Sequence, residues 1–424
     1  MTDRDEVGRL VDHLFRREAG RLVARLARRF GVARLDLVED AVQDALVQAC
    51  RTWPFNGVPA DPAAWLATVA TNRALDLASM RARRDRILGG GAGAPADIHD
   101  PTVHVPAREH RMSELGDDEL GLLFACAHPD LTPETAVILM LKTVGGFGVR
   151  EIARGLLAEP AAISQRLVRA RRTLALAPIP VAIPEATEAV SRVDAVAEAL
   201  YLMFTEGHSA AEADAVIRRE LAAEAMRLAI AVADHPVLGT PSLHALVALM
   251  AFNAARFDTR VDASGIPVLL AEQDRDQWDR GLLSLGLDRL ERSMAAIELS
   301  RWHVEAEVAS LHALTPRFDL TPWARVVEAY DRLLAIAPSP VVRVNRAVAL
   351  GYARGPTAAL DALDGADDDG RLTRYPWLHA ARAHAHERLG DHLAARASWQ
   401  NALAFTTAAP QRRFIEQRIA ALRH

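Results

Sequence analysis

Residues 148–174, GVREIARGLLAEPAAISQRLVRARRTL, decide how this chain is read. Ile152 and Leu156 give a short first helix its buried stripe. Leu157–Glu159 supply a turn, and Pro160 suits the first turn of the next helix, where its missing N–H costs nothing. Ile163, Leu167, Ala170 and Leu174 then recur at i, i+4, i+7 and i+11, which is one apolar face. The opposite face carries Gln165, Arg169 and Arg172, flanked by Ser164 and Arg166. The pattern predicts a helix-turn-helix whose second helix presents amide and guanidinium groups. Such groups bond base edges in pairs and neutralise phosphate, so DNA is the first partner to consider. A solvated basic face on an ordinary surface helix is the plain alternative, and the rest of the chain has to decide.

The 424 residues allow about three domains of ordinary size. Half of them are hydrophobic, only 5% are aromatic, and Ala, Leu and Arg dominate, which favours helices. The chain opens on the charged stretch MTDRDEVGRLVDHLFRRE, and its apolar runs are short, so no signal peptide or membrane span is expected. Two cysteines, Cys50 and Cys126, are too few for a disulfide framework and read as reduced core residues of a cytoplasmic protein. The net charge of −5 is uneven. Residues 1–178 hold 24 Lys and Arg against 23 Asp and Glu, and residues 179–424 hold 26 against 32. The N-terminal part is the one suited to nucleic acid, with its cations gathered at Arg81–Arg86 and Arg166–Arg172.

Upstream, VEDAVQDALVQAC (38–50) forms a helix with Val38, Val42, Ala45 and Ala49 inward. Asp36, Asp40 and Gln43 then point outward, with Glu39 and Asp44 on the flanks, an acidic stripe suited to a basic partner. A merely solvated helix face is the alternative. The Pro/Gly/Asn segment TWPFNGVPADP follows as a loop, and PAAWLATVATNRALDLASMRARR (62–84) as a helix. Its inner face is Leu66, Ala70, Leu77 and Met80, and Arg73 with Asp76 read as a partly buried i, i+3 pair. Trp53 and Phe55 are candidate stacking platforms for unpaired bases, with Thr71 and Asn72 as hydrogen-bonding groups. Arg81, Arg83 and Arg84 are candidate phosphate clamps, and Trp65 reads as packing.

The order of these features resembles an extracytoplasmic-function (ECF) sigma factor of the sigma-70 superfamily. The resemblance rests on EDAVQDAL (39–46), AWL (64–66), NRALD (72–76), EIA (151–153) and SQRLVRA (164–170). Further segments resemble a subgroup with a fused tetratricopeptide-like extension: ALYLMFTEG (199–207), RVD (260–262), QDR (273–275), Trp278–Asp279 and APSPVVRVNRAV (337–348). The resemblance implies an all-α chain: region 2 over 1–88, a flexible linker over 89–113, region 4 over 114–177 and a helical extension over 178–424. It implies docking on the clamp and flap regions of core RNA polymerase, with Asp36, Glu39, Asp40, Gln43 and Asp44 on the docking helix. Contact with the −10 element of promoter DNA falls to Trp53, Phe55, Thr71, Asn72, Arg81 and Arg84. Reading of the −35 element falls to Ser164, Gln165, Arg166, Arg169 and Arg172. Leu46 stands where the family usually has Phe, which would alter the docking surface.

The C-terminal half supports the same picture on its own residues. Gly355 and Gly390 each close a helix 35 residues apart, and Tyr330 and Trp399 lie 69 apart, about two tetratricopeptide periods. Stacked helical hairpins are expected there, offering a surface to a protein partner. The proline-rich PIPVAIPE (178–185) marks the boundary before them. No catalytic residue, metal site or cofactor is expected. The acids Asp262, Glu272, Asp274, Asp276 and Asp279 lack a calcium-loop spacing and are interspersed with arginine, so they read as inter-helix ion pairs. His303, His312, His379, His384 and His386 are scattered, and no nucleophile elbow or P-loop is present. The rival reading is a tetratricopeptide helix-turn-helix regulator that binds DNA without serving polymerase.

Overall fold

The computed structural model describes residues 18–88, 112–156, 158–176, 179–184, 186–208, 219–366, 370 and 372–422. Leu157 and the 89–111 part of the expected linker lie outside the described residues. The described residues form helices, with a single isolated antiparallel bridge among them between Val261 and Pro267, so the chain is all-α. It divides into two compact units, Met1–Ala199 and Leu200–His424.

The first unit starts with α1 (18–30), a 3-10 turn at Val32–Arg34, α2 (Leu35–Asn56) and α3 (Pro62–Leu88). In α2 the expected stripe Val38, Val42, Ala45 and Ala49 is buried, extended by Leu35, Leu37, Ala41 and Leu46. The helix does not stop at Trp53. It carries Pro54 inside its last turn, at the cost of the one hydrogen bond its N–H would have given the Cys50 carbonyl, and runs to Asn56. Gly57, at φ 80°, then turns the chain and returns its N–H to the Trp53 carbonyl at 3.0 Å. On α3, Leu66, Ala70 and Ala74 are buried, but Leu77 is half-buried and Met80 is 63% exposed. The expected inner face ends early because α3 outruns its partner: Arg81 already meets Asp36, in the first turn of α2.

The remainder of this unit is α4 (Met112–Cys126), α5 (Pro133–Thr143), α6 (Val149–Gly155), α7 (Pro160–Ala175) and the first part of α8 (Ala186–His208). Thr132 caps α5, its hydroxyl accepting the Thr135 N–H at 3.3 Å, with Pro133 in the first turn. Residues 179–184 lie on α4 so closely that a Cβ at Gly121 would come within 3.0 Å of the Ala182 backbone. Arg192 of α8, itself buried, donates to the Phe124 carbonyl at 2.8 Å. The division between the units therefore falls inside α8 rather than at the proline-rich stretch.

The second unit continues with α9 (Arg219–Ala233), α10 (Pro241–Ala254), α11 (Arg280–Ser293) and α12 (Arg301–Ala313). Helix α10 is its centre: Leu243 and every residue from Ala245 to Phe252 are buried, which marks a helix apolar on all sides. Gly286 of α11 abuts it, and a Cβ there would stand 2.6 Å from the Phe252 ring. Then α13 (Trp323–Ile336), α14 (Pro340–Arg354), α15 (Pro356–Asp364), α16 (Pro376–Leu389), α17 (His392–Phe405) and α18 (Ala409–Ala421) pack in succession as helical hairpins. Gly355 (φ 103°) and Gly390 (φ 78°) close α14 and α16, as their spacing suggests. Ala395, Trp399 and Ala402 are buried, and the Trp399 Nε1 donates to Glu387 at 2.8 Å. Ile266 and Leu269, from the segment before α11, fill the core between α16, α17 and α18.

Candidate polymerase and nucleic-acid interface

Because α2 buries its apolar stripe, the residues between those positions are forced outward. Asp36, Asp40, Gln43 and Asp44 are all exposed, so one face of α2 is acidic. It is not bare. Arg81 of α3 bonds Asp36 at 2.9 Å and approaches Asp40 at 4.0 Å, and the Arg73 Nε bonds Asp44 at 2.6 Å. Arg73 thus reaches across to α2 instead of pairing with Asp76, which is exposed. Arg81, read as a phosphate clamp, serves first as the counter-charge of the acidic face. Exposed pairs of this kind contribute about 0–1 kcal/mol each, so a denser basic surface can displace them.

Glu39 behaves differently. It is turned away from the acidic face and pairs with Arg171 of α7. Its carboxyl is held above the ordinary range, first by burial, with Arg171 and Lys142 acting in the opposite direction. The Glu39 Oε1 and the Arg171 Nε are both buried without a hydrogen-bond partner. Glu39 is therefore a link to α7 and is withdrawn from any docking surface. Arg171 was not singled out in the sequence, and no local pattern marks a partner 132 positions away.

Three further expectations change. Trp53 is 2% exposed and meets Trp65 edge-on at 5.3 Å, so it is part of the core between α2 and α3 and cannot receive a base. Phe55, one turn end further, is 77% exposed. Leu46 is 5% exposed, so the Leu-for-Phe difference alters the core beneath the face and leaves the face itself unchanged. Cys50 is exposed, while Cys126 is buried against Thr143 with its thiol pushed up to about 12 by burial. On α3, Asn72 and Arg84 are exposed, and Thr71 is half-buried with its hydroxyl given to the Ala67 carbonyl at 2.7 Å.

Helices α6 and α7 follow the expected geometry. Ile163, Leu167, Ala170 and Leu174 are buried, Ile152 and Ala153 are buried beneath them, and Leu156 is half-buried. The Gly148 N–H donates to Glu151 at 2.6 Å, fixing the start of α6. Ser164, Gln165, Arg169 and Arg172 stand exposed on the outer side of α7. Arg166 does not join them: half-buried, it pairs with Glu134 of α5 and holds the two helices together.

The acidic segment of residues 260–280 does not make inter-helix ion pairs. Asp262 accepts the Ser264 and Ile266 N–H groups in a turn, and Asp274 caps the following 3-10 helix. Asp279 caps α11, accepting the Leu282 N–H at 3.0 Å. Asp276 approaches only its neighbour Arg280, at 3.7 Å. Among the described residues no group of three His, Cys, Asp or Glu is placed to hold a metal ion, and no helix is long and apolar enough to cross a membrane.

Residues 15–85, which span α1 to α3 and their acidic face, match Sigma-70 region 2. The chain thus carries a Sigma-70 region 2 domain. Sigma-70 region 2 implies binding of core RNA polymerase, and in this chain it presents the α2 face just described. Residues 192–294 match a family of unknown function (DUF6596), which covers α8 to α11. The whole chain is similar to an uncharacterized protein of Rhizobium meliloti (strain 1021), 34% identical over 91% of this chain and 90% of that protein, and the two belong to one family. No solved structure matches.

Proposed function

We propose that the protein is an ECF-type sigma factor that brings core RNA polymerase to promoter DNA and carries its own regulatory extension. The observation that carries this reading is the acidic outer face of α2 lying within the sigma-70 region 2 match. Asp36, Asp40, Gln43 and Asp44 dock on the polymerase clamp, exchanging Arg73 and Arg81 for the partner's cations. Those released arginines are then free to meet DNA phosphate. Phe55, Asn72 and Arg84 hold the melted −10 element, with Phe55 as the stacking platform. Ser164, Gln165, Arg169 and Arg172 read the −35 element, with Arg172, near the helix end, on phosphate. The extension from α8 onward, tetratricopeptide-like in its last hairpins, sets how active the factor is.

The Glu39–Arg171 contact gives this function a conformational requirement. Promoter elements named for positions 35 and 10 lie about 25 base pairs apart, or about 85 Å of duplex. Helices α2 and α7 joined by a side-chain hydrogen bond cannot span that distance. The factor must open at this contact to engage both elements, and the closed form is the resting one.

Titration of the full chain against core polymerase, followed by run-off transcription on a promoter library, tests the reading. Saturable core binding with promoter-selective transcripts is expected. DNA binding without core binding would instead establish the helix-turn-helix regulator. Deletion of the extension needs a cut after residue 199 rather than near residue 177. A cut at 177 would also strip Arg192 from Phe124 and uncover α4.

A further inference from the structure

The second unit contains a cavity of about 440 Å³ whose walls come from α8, α10, α12, α13 and α14. This size falls in the range of small-molecule sites. Much of the wall is apolar, including Leu249, Phe252, Val308, Leu333 and Val341. Its charge is unusual. Arg256 lines it with its Nε buried and unbonded, and its guanidinium lies 5.9 Å from the centre of the Trp278 ring. Arg301 also lines it, but is occupied by Glu305 at 3.0 Å and by the Trp302 ring at 4.3 Å. Arg275 stands behind, committed to the Thr315 carbonyl at 2.8 Å.

Arg256 has no carboxylate to balance it. Burial, with the like charges of Arg260 and Arg275, pulls it down to about 9, and burial, with the charges of Arg256 and Arg275, depresses His312 to about 4. His312 is therefore neutral at pH 7, and its buried Nδ1 is also without a partner. A buried guanidinium without a counter-ion is costly, and native proteins normally pair such groups. Buried arginines elsewhere in the chain show the usual pairing: Arg192 has Glu188 and Phe124, and Arg289 has Asp234. Arg256 faces a cavity instead.

We propose that this cavity binds a small organic anion, a carboxylate or phosphate monoester on an apolar body, with Arg256 as its anchor. The guanidinium fork matches two oxygens of either head group, and burial strengthens that bond relative to water. His312 and the Tyr330 hydroxyl, both in the wall, are further polar groups within the site. The apolar side chains receive the body of the ligand. The proposal does not depend on the sigma-factor reading, since it rests on the second unit alone.

The test is calorimetric titration and thermal unfolding of the full chain with benzoate, phenyl phosphate, inorganic phosphate and uncharged benzyl alcohol, at ionic strength fixed with chloride. Benzoate or phenyl phosphate is expected to bind and raise Tm, at least tenfold tighter than inorganic phosphate, and benzyl alcohol to do neither. Which of the two organic anions wins separates a carboxylate from a phosphate ligand. Arg256→Met should abolish binding while leaving the ligand-free Tm equal or higher, because it removes an unbalanced buried charge. Arg256→Lys keeps the charge without the fork and should weaken binding at least tenfold. The proposal is overturned if no anion of the set binds, or if both variants bind as the parent does. A fall in ligand-free Tm on Arg256→Met would make Arg256 a structural residue and equally overturn it.

Discussion

The acidic face of α2 and the cavity of the second unit hold arginine under opposite conditions. Over the α2 face the guanidinium groups of Arg73 and Arg81 from α3 are half in water, and each has an α2 carboxylate within 3 Å. In the cavity the Nε of Arg256 is buried, and no carboxylate pairs with the guanidinium. The exposed pairs are nearly neutral in free energy and exchange readily, which suits a surface that must swap partners. The buried cation is uncompensated within its own chain, which suits a site completed by something else. Between these extremes lies Glu39 with Arg171, paired but incompletely hydrogen-bonded, which suits a contact that opens.

The largest effect should come from breaking that intermediate pair on one side. Arg171→Ala leaves a buried carboxylate alone and should destabilise the first unit by more than the about 1 kcal/mol of an exposed pair, toward the about 3–5 kcal/mol of a buried one. Hydrogen exchange over α2 and α7 measures it, and Glu39→Gln in the same background should restore much of the loss. Next, charge reversal of Asp40 and Asp44 together should weaken core-polymerase binding at least tenfold, about 1.4 kcal/mol, with the helical signal unchanged. An unaltered titration would remove α2 as the docking helix.

A smaller effect should appear with pH. The folded Glu39 carboxyl titrates above its unfolded value of 4.5, so the folded state holds the extra proton between the two values. Stability of the first unit should therefore decline as pH rises from about 4.5 through the raised value, and level off above it. Glu39→Gln should flatten this segment of the pH profile, and a profile unchanged by that substitution would show the pair to be solvated. Smallest of all, Arg81→Ala should change stability by less than about 1 kcal/mol. If Arg81 meets phosphate after docking, the same change should reduce the salt slope of promoter binding by about 1.

Where one helix face is buried, its periodicity revealed it: Val38 to Ala49 and Ile163 to Leu174 lie inward as their spacing predicts. Caps were legible for the same reason, since Thr132 and Pro133 act on the residues beside them. The departures all involve a partner distant in sequence or a rule applied too locally. Pro54 reads as a loop, but so near the end of the helix it costs a single hydrogen bond, and the buried Trp53 keeps α2 helical past it. Arg73, Arg81, Arg166 and Arg171 each present a cation in the sequence, and only the packing of α2, α3, α5 and α7 decides which carboxylate each one meets. Arg256 was invisible because nothing in a linear pattern separates a paired arginine from a lonely one.

The two cysteines differ in a way that turns α2 into its own reporter. Cys126 is enclosed and its thiol stays protonated, so alkylating reagents pass it by. Cys50 is exposed and follows Gln43 and Val47 along the same side of the helix at steps of four and three. The folded chain thus offers a maleimide one address, close to the acidic face. A fluorophore placed there would sense any macromolecule that settles on that face, with no engineered residue required.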